Sequence, residues 1–291
     1  MEPRTLLPAA LVVVSALLAC KSADKSQQES QPAGNPLAAP TVPTGSNVTF
    51  VKLVPKSGTR ASVSRKTTSK FTLSGKTYRE TSTTDAKYTV KASDEFRVVK
   101  ADVEVKELFT TSQEGTGTEK KSVSPLSGST YTITRYDDGK LGAVDSGGTQ
   151  VPASTLKLIN EEFKSMFDKN NDGAFLPDRP VKMDEKFMPS SDALLKMLAV
   201  KDDGKTSFDG AEFILKSHSG STASFDTEMS MTQNIGNGLR LRVKFKGTLD
   251  FQPQGTWSTA AHLKGPMTLL NGKGDEKGTG DVAVEITQTF E

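Results

Sequence analysis

From Leu239 to Phe251 the chain alternates without a break in phase. Leu239, Leu241, Val243, Phe245, Leu249 and Phe251 share one parity, and Arg240, Arg242, Lys244, Lys246 and Asp250 share the other. A period of two belongs to a strand with one dry and one wet face, and a helix does not present it. At about 3.3 Å per residue a strand of this length runs roughly 40 Å, against a usual five to six residues. Such a strand must bend, and its dry face must be covered along its length. The pattern therefore demands a large antiparallel sheet with something packed against one side.

Other segments repeat the demand. Strands are predicted at Val48–Val54, Arg60–Thr67, Lys70–Leu73, Tyr78–Thr84 and Tyr88–Lys91. The next, Val99–Val105, has Val99, Ala101, Val103 and Val105 on one face and Lys100, Asp102 and Glu104 on the other. Thr130–Tyr136 and Leu141–Val144 flank Asp137-Asp138-Gly139-Lys140, a hairpin signal. Thr206–Ser217 and Thr222–Gln233 follow, and a last strand carries Val282, Val284, Ile286 and Phe290 on one face after a Gly-rich loop from Asn271 to Gly280. Between the two sets of strands the period changes. Leu156, Ile159, Phe163 and Phe167 recur at three- and four-residue spacing, which predicts an amphipathic helix over 154–168 started by Pro152 and Ser154. A shorter helix is predicted over 192–200, with Leu194, Leu195 and Leu198 on one face and Ser190 or Ser191 as N-cap. The fold class is α+β: a large curved antiparallel sheet, an open or half β-barrel, with two helices packed against it.

The sequence begins differently. Arg4, an apolar run from Leu6 to Leu18, Ala19 and then Cys20, the single cysteine, have the layout of a secretion signal. The run is shorter than the roughly 20 residues of a membrane-spanning helix. Leu17-Leu18-Ala19-Cys20 resembles the bacterial lipobox. The resemblance implies a signal peptide over 1–19, cleavage before Cys20 and acylation of that cysteine. It also implies a lipid-anchored protein of the bacterial cell envelope, with the outer membrane favoured over the inner because Lys21 stands where an inner-membrane retention signal has Asp. Residues 21–46 are rich in Ser, Gln, Pro, Ala and Gly and are expected to be a flexible tether, so that 20–46 is lipidated Cys plus linker and 47–291 one β-rich domain. With Cys20 committed to lipid, no thiol remains for a disulfide or a metal.

Two further resemblances bear on fold. The layout of strands around helices is similar to envelope lipoproteins built as a half-barrel holding helices in its concave face, the architecture of bacterial lipoprotein carriers. The stretch Leu176-Pro177-Asp178-Arg179-Pro180-Val181-Lys182-Met183-Asp184-Glu185-Lys186-Phe187 resembles a segment of a family of uncharacterised bacterial lipoproteins. In that pattern a glycine stands at the position of Asp184, and Trp is usual at the position of Phe187. These resemblances imply fold and location, not an activity.

Chemistry-bearing patterns are few. Asp168, Asn170 and Asp172, with Gly173, match positions 1, 3, 5 and 6 of an EF-hand-type calcium loop, so calcium is the one candidate cofactor. Position 12 is Arg179 in place of the bidentate Glu, leaving Asp178 or Asp184 to close the shell. The competing reading is a helix C-terminus ended by an Asn-Asn-Asp-Gly turn. His218 and His262 have neither a Cys partner nor a spacing that suits zinc. No Gly-x-Ser-x-Gly elbow occurs. Asp137-Asp138, Asp202-Asp203 and Glu161-Glu162 read as solvated pairs. Trp257, beside Gly255, suits core or platform equally. The row Arg240, Arg242, Lys244 and Lys246 suits either a lipid-facing surface or a solvated face neutralised by Glu212, Asp226, Glu228 and Glu285, and the latter is expected.

Net charge of +2 gives no footprint for nucleic acid. The expected partners are the membrane, through Cys20, and a lipid or another envelope protein, with the chain itself a monomer. The expected function is a non-catalytic binding domain for an acyl chain, lipid or lipoprotein. The alternatives are a structural or interaction lipoprotein with a filled core, and a calcium-binding envelope protein.

Overall fold

The structure, a computed structural model, describes residues 47–168, 175–197 and 205–291. Cys20 and the segments 1–19 and 20–46, like Asn170, Asp172 and residues 198–200 of the second predicted helix, lie outside them. Two short strands, β1 (Asn47–Val48) and β2 (Val51–Lys52), precede the long β3 (Arg60–Leu73), β4 (Lys76–Ser93) and β5 (Val98–Glu114). Next come β6 (Lys120–Val123), β7 (Ser129–Arg135), β8 (Leu141–Asp145) and helix α1 (Ala153–Phe163), which runs into a 3-10 turn (Lys164–Phe167). The strands β9 (Val181–Lys182) and β10 (Lys186–Phe187) and helix α2 (Ser191–Met197) lead to the second set of long strands. These are β11 (Thr206–Ser219), β12 (Thr222–Gly236), β13 (Leu239–Gln252), the short β14 (Gln254–Gly255), β15 (Trp257–Leu270) and β16 (Glu276–Phe290).

Twelve strands form one open sheet in the order β10-β11-β12-β13-β15-β16-β3-β4-β5-β7-β8, with β6 beside β5. Its pairings are antiparallel throughout. The fold class read from the sequence is the one found: a large antiparallel sheet, unclosed, with two helices. Pairing of β16 with β3 joins the two sets of strands, so one inner face runs across all of them.

Several strands differ in extent from the reading above. Val48–Val54 is not continuous; it divides into β1, which pairs with β9, and β2, which runs parallel to β14. Arg60–Thr67 and Lys70–Leu73 are one strand, as are Tyr78–Thr84 and Tyr88–Lys91. Residues 276–280 of the expected Gly-rich loop belong to β16, where Gly278 and Gly280 lie against β3; a Cβ on Gly280 would sit 2.1 Å from the Lys70 carbonyl oxygen. In β5 the dry position before Ala101 is Val98, not Val99, because bulges opposite Val90–Ser93 shift the phase.

The strand β15 has no counterpart in the sequence reading, since Gly265-Pro266 interrupts it. Both residues fit for local reasons. The pairing of β13 with β15 lapses between Val243↔Met267 and Lys246↔Lys264, which relieves Pro266 of a donor it lacks. At Gly265 the backbones approach so closely that a Cβ would lie 1.6 Å from the Lys244 carbonyl oxygen. Only glycine allows that bend.

The first helix ends earlier than its period suggests. From Lys164 the tighter 3-10 winding brings Met166 to the same side as Phe163, at i+3, so that Ile159, Phe163, Met166 and Phe167 are all buried. In α2 Ser190 is the N-cap, its Oγ accepting from the Ala193 N–H at 3.2 Å. Leu194 and Leu195 are buried, as their stripe required.

Two apolar clusters occupy the inner face. One joins β3–β5, β7 and β8 to α1 and the 3-10 turn, through Tyr88, Val103, Ile133, Ile159 and Phe167 among others. The other lies on β11–β13, β15 and β16 and is capped by residues 175–197, a strap containing Phe175, Leu176, Val181 and Leu194. On β3 the odd positions serve both clusters, Ala61 the first and Phe71 the second. Trp257 is core, 2% exposed and against Phe290.

Candidate functional site

The second cluster forms a trough whose two ends differ. At one end six rings meet. Phe175 from the strap lies 4.6 Å from Phe213, 5.2 Å from Phe251 and 6.0 Å from Phe225 by ring centroids, with Phe187 and Phe50 at the margin. The other end is lined by Met229, Met231, Leu241, Val243, Met267 and Leu269, all buried. Aromatic packing fixes the first end geometrically. Methionine, unbranched and polarizable, lets the second accept different shapes.

The strap is held by local chemistry. Asp184 has φ +56°, the left-handed region that favours glycine. Its N–H donates to the Leu215 carbonyl at 2.8 Å and its carboxylate meets Lys216 at 2.9 Å. Arg179 and the Lys182 N–H both donate to Glu185, holding that carboxyl down at about 2. Phe187 stacks on Phe213 at 5.7 Å.

Between the two clusters the inner face turns polar. On β3 the inward positions run Ala61, Val63, Arg65, Thr67, Ser69, Phe71 and Leu73, and opposite them on β4 lie Thr84, Ser82 and Glu80. Arg65 reaches Glu162 of α1, which also accepts from Thr84 at 3.1 Å. Those side chains are 13% and 20% exposed for Arg65 and Glu162, so the pair is substantially withdrawn from water. Thr67 and Ser69 are 1% exposed, and neither hydroxyl has a hydrogen-bond partner among the described residues. Glu80, opposite Ser69, forms no ion pair among the described residues, and burial raises its carboxyl above the ordinary range. A groove of about 1220 Å³ opens at the outer end of this seam, lined by Tyr78, Glu80, Ser112 and Glu114 among others.

The residues singled out from the sequence are dispersed. Asp168 stands at the end of the 3-10 turn, its carboxylate 3.0 Å from Arg135. Asn170 and Asp172 lie outside the described residues. Asp178 faces Lys52 at 3.8 Å and Asp184 is on Lys216, so both carboxylates proposed to close a calcium shell are in other pairs. Among the described residues no three His, Cys, Asp or Glu side chains are grouped as metal ligands. His218, half-buried, and His262, exposed, lie on different strands, β11 and β15. Of the basic row only Lys246 meets an acid, Glu228 at 3.8 Å; Arg240, Arg242 and Lys244 form no ion pair among the described residues. The expected neutralisation fails by register. Lys244 lies opposite Ser230 and Arg242 opposite Thr232, while Glu212 is taken by Lys186 at 2.5 Å.

The polar seam escaped sequence reading. Its signal was the single inward parity from Ala61 to Leu73, which holds through Arg65, Thr67 and Ser69; read for apolar residues alone, the strand breaks there.

No protein-family model matches the chain, and no curated protein matches its sequence. Among solved structures, one of lipid–protein interactions in lipovitellin is similar at a TM-score of 0.37 and 9% identity, covering 81% of this chain and 26% of that one. DynF, from the dynemicin biosynthesis pathway of Micromonospora chersina, is similar at a TM-score of 0.23 and 11% identity, covering 87% of this chain and 92% of that one. The chain thus spans about a quarter of the lipovitellin chain. Neither likeness bears on function.

Proposed function

We propose that this is a lipid-anchored protein of the bacterial cell envelope, attached through Cys20, whose domain is a non-catalytic binder of an acyl chain. The observation that supports binding is the composition of the trough. Its inner wall is mainly apolar over β11–β13, β15 and β16, interrupted at Thr227 and Gln233 of β12, and its cover is a separate strap carrying only two-residue strands and a seven-residue helix. A domain stabilised for its own sake would cover such a wall with a second layer of regular structure. Withdrawal of the strap exposes the Met-lined end, where a flexible chain replaces Leu194 and its neighbours.

The second reading is a filled core with no ligand, an interaction lipoprotein. The seating of Phe175 among four other rings favours it at the aromatic end of the trough. Native mass spectrometry separates the two. Cys20→Ser protein purified from an envelope fraction is expected to carry a non-covalent acyl lipid, and clean protein that also fails to take up added oleate would establish the filled core. Intact-mass analysis of the unmutated protein is expected to find diacylglycerol on Cys20, and an unmodified thiol there would remove the anchor.

A further inference from the structure

The inner face grades from apolar to polar along one cross-strand row. Register places Met229 opposite Phe245, Phe245 in phase with Gly265, Gly265 opposite Val282, Val282 opposite Ser69, Ser69 opposite Glu80 and Glu80 opposite Ser112. The adjacent row ends likewise, with Val284, Thr67, Ser82 and Thr110 in line. From Met229 to Ser69 is four strand spacings, about 19 Å at roughly 4.8 Å each. Acyl chains of one leaflet fill about 15 Å, half of a bilayer's hydrocarbon core. The row is therefore long enough for one chain lying across the strands.

The polar end is unusual in what it leaves unmade. Buried polar groups are nearly always hydrogen-bonded, and an orphan costs stability. Here two neighbouring hydroxyls on one strand, Thr67 Oγ1 and Ser69 Oγ, are both buried and unpartnered among the described residues. Ser69 lies opposite Glu80 and Thr67 opposite Ser82, and Glu80 forms no ion pair among the described residues. Of the cations near it, Arg65 is held by Glu162 and Lys76 by Glu114 at 3.1 Å, while Lys120, opposite Ser112 and three strands from Ser69 on the same row, forms no ion pair among the described residues. The two hydroxyls, with Arg65 already paired and Lys120 three strands away from Ser69, have no cation next to them by register. They suit hydroxyl groups that both donate and accept.

We infer that the seam of Thr67, Ser69 and Glu80 holds the headgroup of an uncharged, hydroxyl-bearing amphiphile of the glyceride class, whose chain lies in the trough. This rests on the acyl-binding reading above and specifies its ligand. The unpartnered hydroxyls are then kept for the ligand at the expense of the empty protein.

The test is binding of mono-oleoylglycerol and methyl oleate, which share a chain and differ in hydroxyls, to Cys20→Ser protein and to the same protein with Thr67→Val and Ser69→Ala. The unsubstituted seam is expected to bind mono-oleoylglycerol at least about tenfold more tightly, the order of one or two hydrogen bonds. The seam variant is expected to lose that preference, keep its affinity for methyl oleate, and melt no lower than its parent. Equal binding of both probes by the parent, or a preference that survives in the variant, overturns the headgroup assignment and leaves the acyl reading standing. A lower melting temperature for the variant would make the hydroxyls structural and overturn it too. Failure of both probes to bind the parent overturns both readings.

Discussion

Phe175→Ala measures how firmly the strap is seated. The ring is 3% exposed and meets four others, at 4.6, 5.2, 6.0 and 6.1 Å, one of them edge-on. Truncating a buried Phe to Ala costs about 3–5 kcal/mol, the range depending on how far the surroundings collapse. Three of its neighbours, Phe213, Phe225 and Phe251, are fixed on paired strands β11, β12 and β13 and cannot move into the gap. The cost therefore falls in the middle to upper part of that range, about 4 kcal/mol. With a urea slope near 2 kcal/mol per molar, the unfolding midpoint drops by about 2 M. The assay is equilibrium urea unfolding followed by Trp257 fluorescence, with dye binding to exposed apolar surface measured below the transition. Met188→Ala, at a residue 69% exposed in the same strap, serves as control and is expected to stay within about 0.5 kcal/mol. A loss of less than about 1 kcal/mol for Phe175→Ala, with no rise in dye binding, would refute the strap as the cover of the trough.

Removing only one member of the Arg65–Glu162 pair, as in Arg65→Met, strands the other charge and is expected to cost about 2–4 kcal/mol, whereas Arg65→Met with Glu162→Leu recovers most of it; additive losses in a double-mutant cycle by urea unfolding would contradict this. Burial raises the Glu80 carboxyl in the folded state, so the folded protein keeps that proton to higher pH than the unfolded chain, and stability falls as pH rises from the unfolded value, about 4.3, through the folded one. Glu80→Gln is therefore expected to melt higher than the parent at pH 7.5, with the difference shrinking towards pH 4; a gap constant from pH 4 to 7.5 would show that Glu80 is not responsible. Because Asp168 is engaged by Arg135, millimolar calcium is expected to leave the melting temperature unmoved, and a calcium-dependent rise lost in Asp168→Asn would restore the calcium loop.

Sequence legibility followed how strictly one face stays dry. In β13 and in β16 from Val282 onward most inward positions are Leu, Val, Ile or Phe, and those stretches read as strands, although Gln288 hides among them. It is 2% exposed and donates to the Tyr88 hydroxyl, a contact between residues far apart in the chain. In β15 the inward positions are Ala261, Leu263, Gly265, Met267 and Leu269, and a strand carrying Gly-Pro reads as a loop until the gap in pairing beside it is seen. The split of β3 at Thr67 to Ser69 has a different origin: there the sheet stops burying hydrocarbon and begins to line the seam. Local propensity gave both helices, but not the 3-10 winding that brings in Met166, which packing dictates. The Arg65–Glu162 pair joins a strand to a helix and has no sequence signature, because what makes it is the docking of α1 on the inner face. The calcium-type loop was a local motif only, and Asp168, Asp178 and Asp184 are drawn into pairs with Arg135, Lys52 and Lys216.

The central claim is that an acyl chain lies in the trough between the strap and β12, β13 and β15. Photocrosslinking with an oleate analogue bearing a diazirine near the chain terminus, mapped by peptide mass spectrometry, tests it most directly. The account predicts label on Met229, Met231, Phe245 or Met267, all on the inner face, and competition by unlabelled oleate. Label confined to outward positions such as Arg242, Lys244 and Lys264, or no saturable label at all, would contradict it.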